Sequence, residues 1–305
     1  MDIFLALLYK LIPLYLIIGL GYLSGRVFKV TKESIAPLLI YIIAPIIIFN
    51  GVVTTKLNIS SLSLPILFFI LACFICLLFY FIGKTFWKDS TVNILAFTAG
   101  TGNTGYFGLP VALILFDKNL IGLVVMSILG FVLYENSLGF FITAKGHHTI
   151  KESLIKVMKL PAIYAFFFGL AINLSKIPLN QIYIDTISNF KGAYTILGMM
   201  LIGLGLASIK EFAFDFKFVS LTFLAKFIIW PLIVMLVVWV DNITLQLYNT
   251  SIHKVMILMS IVPLAANTVA FATELKAQPE KASLAVMLST LFALFYIPLI
   301  TLSFF

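Results

Sequence analysis

Acidic residues are scarce in this chain, with 12 Asp and Glu among 305 residues against 20 Lys and Arg. Charged residues of both signs amount to 10%, where a soluble domain carries about a quarter. Hydrophobic residues make up 62%, 30 of them Phe, and the mean hydropathy is +1.14. Such a chain has too little polar surface to dissolve and reads as an all-α integral membrane protein. The net charge of +8 would suit nucleic acid, but the basic residues are scattered along short loops without a stripe or a recognition motif. Nucleic acid is therefore excluded as a partner.

Other absences narrow the function. There is no Walker A loop, so ATP does not drive the protein directly. No zinc-binding His-Glu-x-x-His, nucleophile elbow or pair of intramembrane aspartates is present, which argues against an enzyme working within the bilayer. No cofactor or metal is expected, and His147, His148 and His253 read as loop residues. Cys73 and Cys76 are the only cysteines, and they read as small apolar fillers one helical turn apart rather than a redox pair. The N-terminus opens on an acid, Asp2, where a secretory signal has a basic region, so the first apolar segment is expected to remain as a helix.

A membrane-spanning helix needs about 20 mostly apolar residues. Segments at roughly 3–25, 33–55, 62–83, 92–116, 120–143, 160–176, 183–208, 217–240, 252–276 and 281–304 qualify. Alternate loops hold Arg26, Lys29 and Lys32; Lys84 and Lys88; Lys145, Lys151, Lys156 and Lys159; Lys210 and Lys217; Lys276 and Lys281. The opposite loops hold only Lys56, Lys118, Lys176 and Lys254. The positive-inside rule makes the richer set cytoplasmic and puts both termini outside. Because five is odd, a second five-helix unit enters the bilayer inverted. The expected division is a first repeat over 1–143, a cytoplasmic linker over 144–159 and a second repeat over 160–305. In the linker, Ile150, Leu154, Ile155 and Met158 recur at near-helical spacing, which suits a helix lying on the membrane surface.

Two of these segments carry an Asn-Thr pair among helix breakers. Asn103-Thr104 stands among Gly100, Gly102, Gly105 and Gly108, shortly before Pro110, and Asn267-Thr268 follows Pro263. Backbone released from the helical ladder inside a bilayer is tolerated only where it is buried in protein or lines a watery cavity. Paired broken helices in corresponding halves point to a transporter's binding site. Each pair falls in the fourth segment of its half. Half-helices starting near Tyr106 and Val269 would aim positive N-termini at the centre, which favours an anion. No acidic residue belongs to either break, which argues against a cation antiporter. A packing kink is the plainer reading of a lone Asn, but the matched pairs favour a site.

The chain resembles the auxin efflux carrier family at several of its motifs. Ala44-Pro45 through Phe49-Asn50, Gly102–Pro110, Tyr134-Glu135-Asn136, and Asn267–Glu274 followed by Ala282-Ser283 and Leu288-Ser289-Thr290 look like the family's signatures in order and spacing. The resemblance implies ten transmembrane helices in two inverted five-helix repeats, crossed at broken helices 4 and 9, with a panel and a core moving against each other. It implies transport of carboxylates such as auxin, malate or malonate. Plant members carry a long cytoplasmic loop that is absent here, so regulation by kinases through such a loop is not implied.

The expected function is a secondary transporter of a small organic anion in the cytoplasmic membrane of a bacterium. The alternative is a sodium-coupled organic-anion symporter of the bile acid transporter type. Substrate-binding candidates are Asn50, Gly102, Asn103, Thr104, Gly105, Asn136, Asn267 and Thr268, with Pro45, Pro110 and Pro263 as helix breakers. Ionisable residues within spans are functional candidates because burying them is costly. Glu135 is read as a proton-carrying coupling residue, as a carboxylate hydrogen-bonded to a neighbouring helix, or as one paired to a Lys. Glu274 is read as a gating or ion-binding residue, sodium included, or as an ion pair with Lys276 or Lys281. Lys191 is read as an attractor of the anion, while Lys226 and Lys10 are read as stems snorkelling to an interface. Trp87, Trp230 and Trp239 are assigned to the interfacial aromatic belts. Partners are then the anion, a proton or sodium ion and the lipid bilayer, with a homodimer left open.

Overall fold

A computed structural model describes residues 2–54, 59–208 and 215–304. The expected loop cations Lys56 and Lys210, and the side chains of Lys10, Pro110 and Lys118, lie outside the described residues. All regular structure among the described residues is helical. Each of the ten expected segments is occupied by helix, as the apolar runs require when every backbone group must find a partner internally.

The first half begins with α1 (Asp2–Val27), α2 (Lys32–Val53) and α3 (Ile59–Gly83). The fourth segment is broken into α4 (Thr91–Gly100) and α5 (104–115). The fifth is α6 (118–144). A short helix α7 (Ile150–Met158) then runs at 44° to α8 (Pro161–Leu174). Thr149 and Glu152 form a reciprocal cap at its start. The apolar residues Ile150, Leu154, Ile155 and Met158 stay exposed. The second half continues with α9 (Gln181–Ala207) and α10 (Phe216–Ile243). The ninth segment is broken into α11 (Thr250–Ile261) and α12 (Asn267–Glu274), and α13 (Pro279–Phe304) follows.

Six of these helices, α2, α3, α6, α9, α10 and α13, are each long and apolar enough to cross a bilayer unaided. Asn180, Asp215 and Asn249 cap α9, α10 and α11 by accepting from backbone N–H groups one turn in, at 2.8–3.0 Å. Helices α1 and α9 pack at backbone contact. A Cβ on Gly21 would collide with the Met200 carbonyl, and one on Gly203 with the Ile18 carbonyl.

Three sequence expectations need correction here. Pro45 does not break its helix: α2 runs through it, because the turn before it, Leu38–Ile43, widens to π-helical geometry. A widened turn moves the carbonyl four residues back away from the proline ring. The same device precedes Pro110, at Thr104–Gly108, and Pro231, at Ala225–Ile229. The Phe227 carbonyl, four residues before Pro231, accepts from the Tyr296 hydroxyl at 2.8 Å. Pro263 alone of the expected breakers lies within a gap between helices. His253 belongs to α11 rather than a loop. It is buried, with Nε2 3.0 Å from Asp241 Oδ2, while Asp241 also accepts from the Leu247 and Tyr248 N–H groups. Trp230 is fully buried instead of interfacial, whereas Trp239 is 59% exposed.

Candidate functional site

The two breaks meet. The Asn103 N–H donates to the Pro263 carbonyl at 2.8 Å, joining the gap of the fourth segment directly to that of the ninth. At Asn103 the backbone makes a tight reversal (φ −75°, ψ 57°), in which the Thr104 N–H donates to the Gly102 carbonyl at 2.7 Å. Its own carbonyl accepts from Phe107 and Gly108, starting α5 with a wide turn.

Ending α4 in the interior leaves its last carbonyls without helical partners, and side chains from distant helices supply them. Trp230 Nε1 donates to the Ala99 carbonyl at 2.8 Å, and the Tyr134 hydroxyl lies 3.1 Å from that of Phe97. Each unmet group in such surroundings costs several kcal/mol, so these two aromatics are what the break rests on.

Beside the breaks lies a cavity of about 220 Å³. Among the expected site residues, Asn50, Gly102, Asn103, Thr104, Gly105 and Asn267 line it, together with Glu135 and Lys191. It reaches from the exposed residues Thr54 and Lys191 down to the crossing. The N-terminal ends of α5 and α12 both border it, at Thr104 to Tyr106 and at Ala266 and Asn267. Ile47, Ile48, Val125, Ile128, Leu129 and Val132 give it mostly apolar walls.

The polar groups fall into two sets. In the first, Asn267 Nδ2 donates to Glu135 Oε2 at 2.7 Å, and the Thr101 hydroxyl donates to Glu135 Oε1. The Tyr106 hydroxyl donates to Asn267 Oδ1 at 3.2 Å, and the Tyr194 hydroxyl lies 3.3 Å from Asn267 Nδ2. An acid therefore does stand at the crossing, contrary to the sequence expectation: α6 delivers Glu135 from outside the breaks. The second set is unpaired among the described residues. Asn103 is 2% exposed, and neither Oδ1 nor Nδ2 has a partner. Lys226 Nζ and Thr268 Oγ1, both fully buried, also lack one.

Some expected site residues stand apart, and Asn50 is already bonded. Asn136 donates to the Val132 carbonyl of its own helix at 2.9 Å and borders a separate small void. Thr268 does not reach the cavity wall. Asn50 lines the cavity, where the Tyr183 hydroxyl donates to its Oδ1 at 3.3 Å. Glu274 accepts from the Tyr41 hydroxyl at 2.9 Å, and no ion pair with Lys276 or Lys281 occurs among the described residues. Lys226 does not snorkel. It is 0% exposed, in the π-helical turn of α10, with Nζ 4.9 Å from the Trp230 ring centre and 5.5 Å from that of Phe131.

Sequence reading missed Thr101, Tyr106, Tyr194 and Lys226 as site residues. Tyr194 and Thr195 share a helix face with Lys191 at a spacing of three and four residues, a signal available once Lys191 was suspected. Lys226 stands ten residues into a long apolar helix, too deep for its stem to reach an end.

Residues 6–301 match the family model described as membrane transport protein. An uncharacterized transporter of Methanocaldococcus jannaschii is 30% identical over 241 residues, which cover 72% of this chain and 75% of that relative. With a match over nearly its whole length, the chain belongs to the membrane transport protein family, that of the auxin efflux carriers, and is a multi-pass membrane transporter.

Proposed function

We propose that the protein is a secondary transporter that carries a small organic anion, a carboxylate, by alternating access. The observation that carries this reading is that Asn103, one of the residues lining the cavity, holds a buried side-chain amide with no partner among the described residues. A polar group so placed is costly while empty, and a carboxylate accepting from Nδ2 removes part of that cost. The N-terminal ends of α5 and α12 and the Lys191 ammonium favour the same charge. The apolar walls suit an anion with an apolar body. A malonate- or malate-like dicarboxylate would use Lys191 as a second anchor.

Glu135 supports a coupled version of this function. Its carboxylate, shared between Thr101 and Asn267 at the junction of the breaks, is placed to exchange a proton or hold a sodium ion as the crossing rearranges. We read the architecture as two inverted five-helix halves, 1–143 and 160–305, joined by the linker 144–159. Loop charges support termini facing outward in a bacterial cytoplasmic membrane. The halves would rock about the fixed crossing.

The test is flux into proteoliposomes of purified protein for a panel of mono- and dicarboxylates, with proton and sodium gradients imposed separately. Movement of at least one carboxylate is expected. If none moves under any gradient, the reading fails.

A further inference from the structure

Lys226 is the feature that this function does not absorb. Its Nζ lies against the first break: a Cβ added to Gly102 would collide with it and come within 3.0 Å of Val262 Cγ2, from the second. Gly102 lines the cavity, and Lys226 lies behind it. The missing side chain at 102 is therefore the gap through which this cation approaches the cavity wall.

The energetics of the position are unbalanced. Burying an ammonium costs several kcal/mol unless a counter-charge and hydrogen bonds replace water. The Phe131 and Trp230 rings return only part of that cost through cation–π attraction. No acceptor lies within hydrogen-bond reach among the described residues. Glu135 is engaged elsewhere, by Thr101 and Asn267. A basic side chain is thus buried beside the cavity with no acidic partner among the described residues.

We propose that Lys226 is the charge-selecting residue of the site, acting on the substrate carboxylate across the gap left by Gly102. The inference rests on the carboxylate reading above and assigns the origin of its charge preference. An anion seated against the Asn103 amide faces this ammonium through a low-dielectric layer one backbone thick, where attraction is little screened. Lys191, exposed at the mouth, draws anions in, and Lys226 decides which bound ligand is held.

The test compares each acid with its own amide, which keeps the shape and removes the charge. Binding of 3-phenylpropanoate and malonate, and of 3-phenylpropanamide and malonamide, is measured on purified protein by calorimetry. Wild type is expected to prefer at least one acid over its amide by about tenfold or more. In Lys226→Met that preference should fall to near unity, with amide affinity little changed. A purely structural lysine would weaken acid and amide alike. Gly102→Ala keeps the lysine but displaces Nζ, and should lower the preference in the same direction even if Lys226→Met fails to fold. Wild type that binds neither acid overturns the carboxylate reading and this one together. If wild type prefers the acid and both variants retain that preference, only the assignment to Lys226 is overturned.

Discussion

Asn103 and Asn267 look alike in sequence, each followed by Thr at a break, but they have different surroundings. The Asn267 amide is engaged by Tyr106, Glu135 and Tyr194, whereas the Asn103 amide has no partner among the described residues. The two alanine variants should therefore separate. Asn103→Ala is expected to lose carboxylate affinity by about tenfold or more while melting near the wild-type temperature, because no internal hydrogen bond is removed. Asn267→Ala leaves Glu135 short of a donor and should lower stability by about 1–3 kcal/mol as well as weaken binding. Equal melting temperatures for the two variants, or wild-type affinity in Asn103→Ala, would count against this division. Glu135→Gln keeps the size but removes the exchangeable charge, so flux should persist without responding to an imposed proton or sodium gradient. A variant still driven by the gradient would move coupling to another residue. Sequence reading found the two amides because their glycine and proline neighbours mark local breaks. It placed no acid at the crossing because Glu135 arrives from a different helix, 132 positions from Asn267, a juxtaposition that only packing creates.

At the scale of the element, the breaks were legible and the means of supporting them were not. Gly and Pro spacing located both gaps to within a few residues, since those residues act on their own backbone. The partners of the freed carbonyls are non-local. Trp230 reads equally well as an interfacial aromatic in any apolar run, and only the orphan carbonyl of Ala99, 131 positions away, shows its use. Proline was over-read for the complementary reason: a π-helical turn before Pro45, Pro110 and Pro231 takes up the clash, and no composition rule announces it. The support can be tested without touching the cavity wall. Trp230→Phe keeps most of the ring but leaves the Ala99 carbonyl bare, and should cost about 1–3 kcal/mol of stability. It should also increase hydrogen exchange at the end of α4. Unchanged exchange there would mean that another group caps the half-helix.

Across the whole molecule, the cavity and the lysine–carboxylate contacts lie at opposite ends of shared helices. Thr54 follows α2 at the cavity end, while Lys32 starts it at the other. There Lys32 is buried and donates to Ser208 Oγ at 2.6 Å and Glu280 Oε1 at 3.0 Å. Lys281 bridges Asp215 at 2.9 Å and Thr91 Oγ1 at 3.0 Å, and Gln278 reaches Asp89 at 3.4 Å. These contacts tie α2, α4, α9, α10 and α13 together on the face away from the cavity; under the proposed alternating access they would favour a state closed there. Burial alone would raise the Asp215 carboxyl, but the Phe218 N–H and Lys281 hold it below its ordinary value of 3.8. A lowered carboxylate stabilises above its unfolded pKa and loses that contribution only as the pH falls through the still lower folded value. The Asp215 carboxylate therefore stays charged for Lys281 across the neutral range. Lys281→Met combined with Lys32→Met removes both cations and should shift the population toward the arrangement open at this end. A cysteine at Thr54, in a chain with Cys73 and Cys76 replaced by Ala, reports the change as slower labelling by a membrane-impermeant thiol reagent at the cavity mouth. Labelling at the wild-type rate in the double variant would show that packing alone holds the closed end and that the lysine–carboxylate contacts contribute nothing to the choice of state.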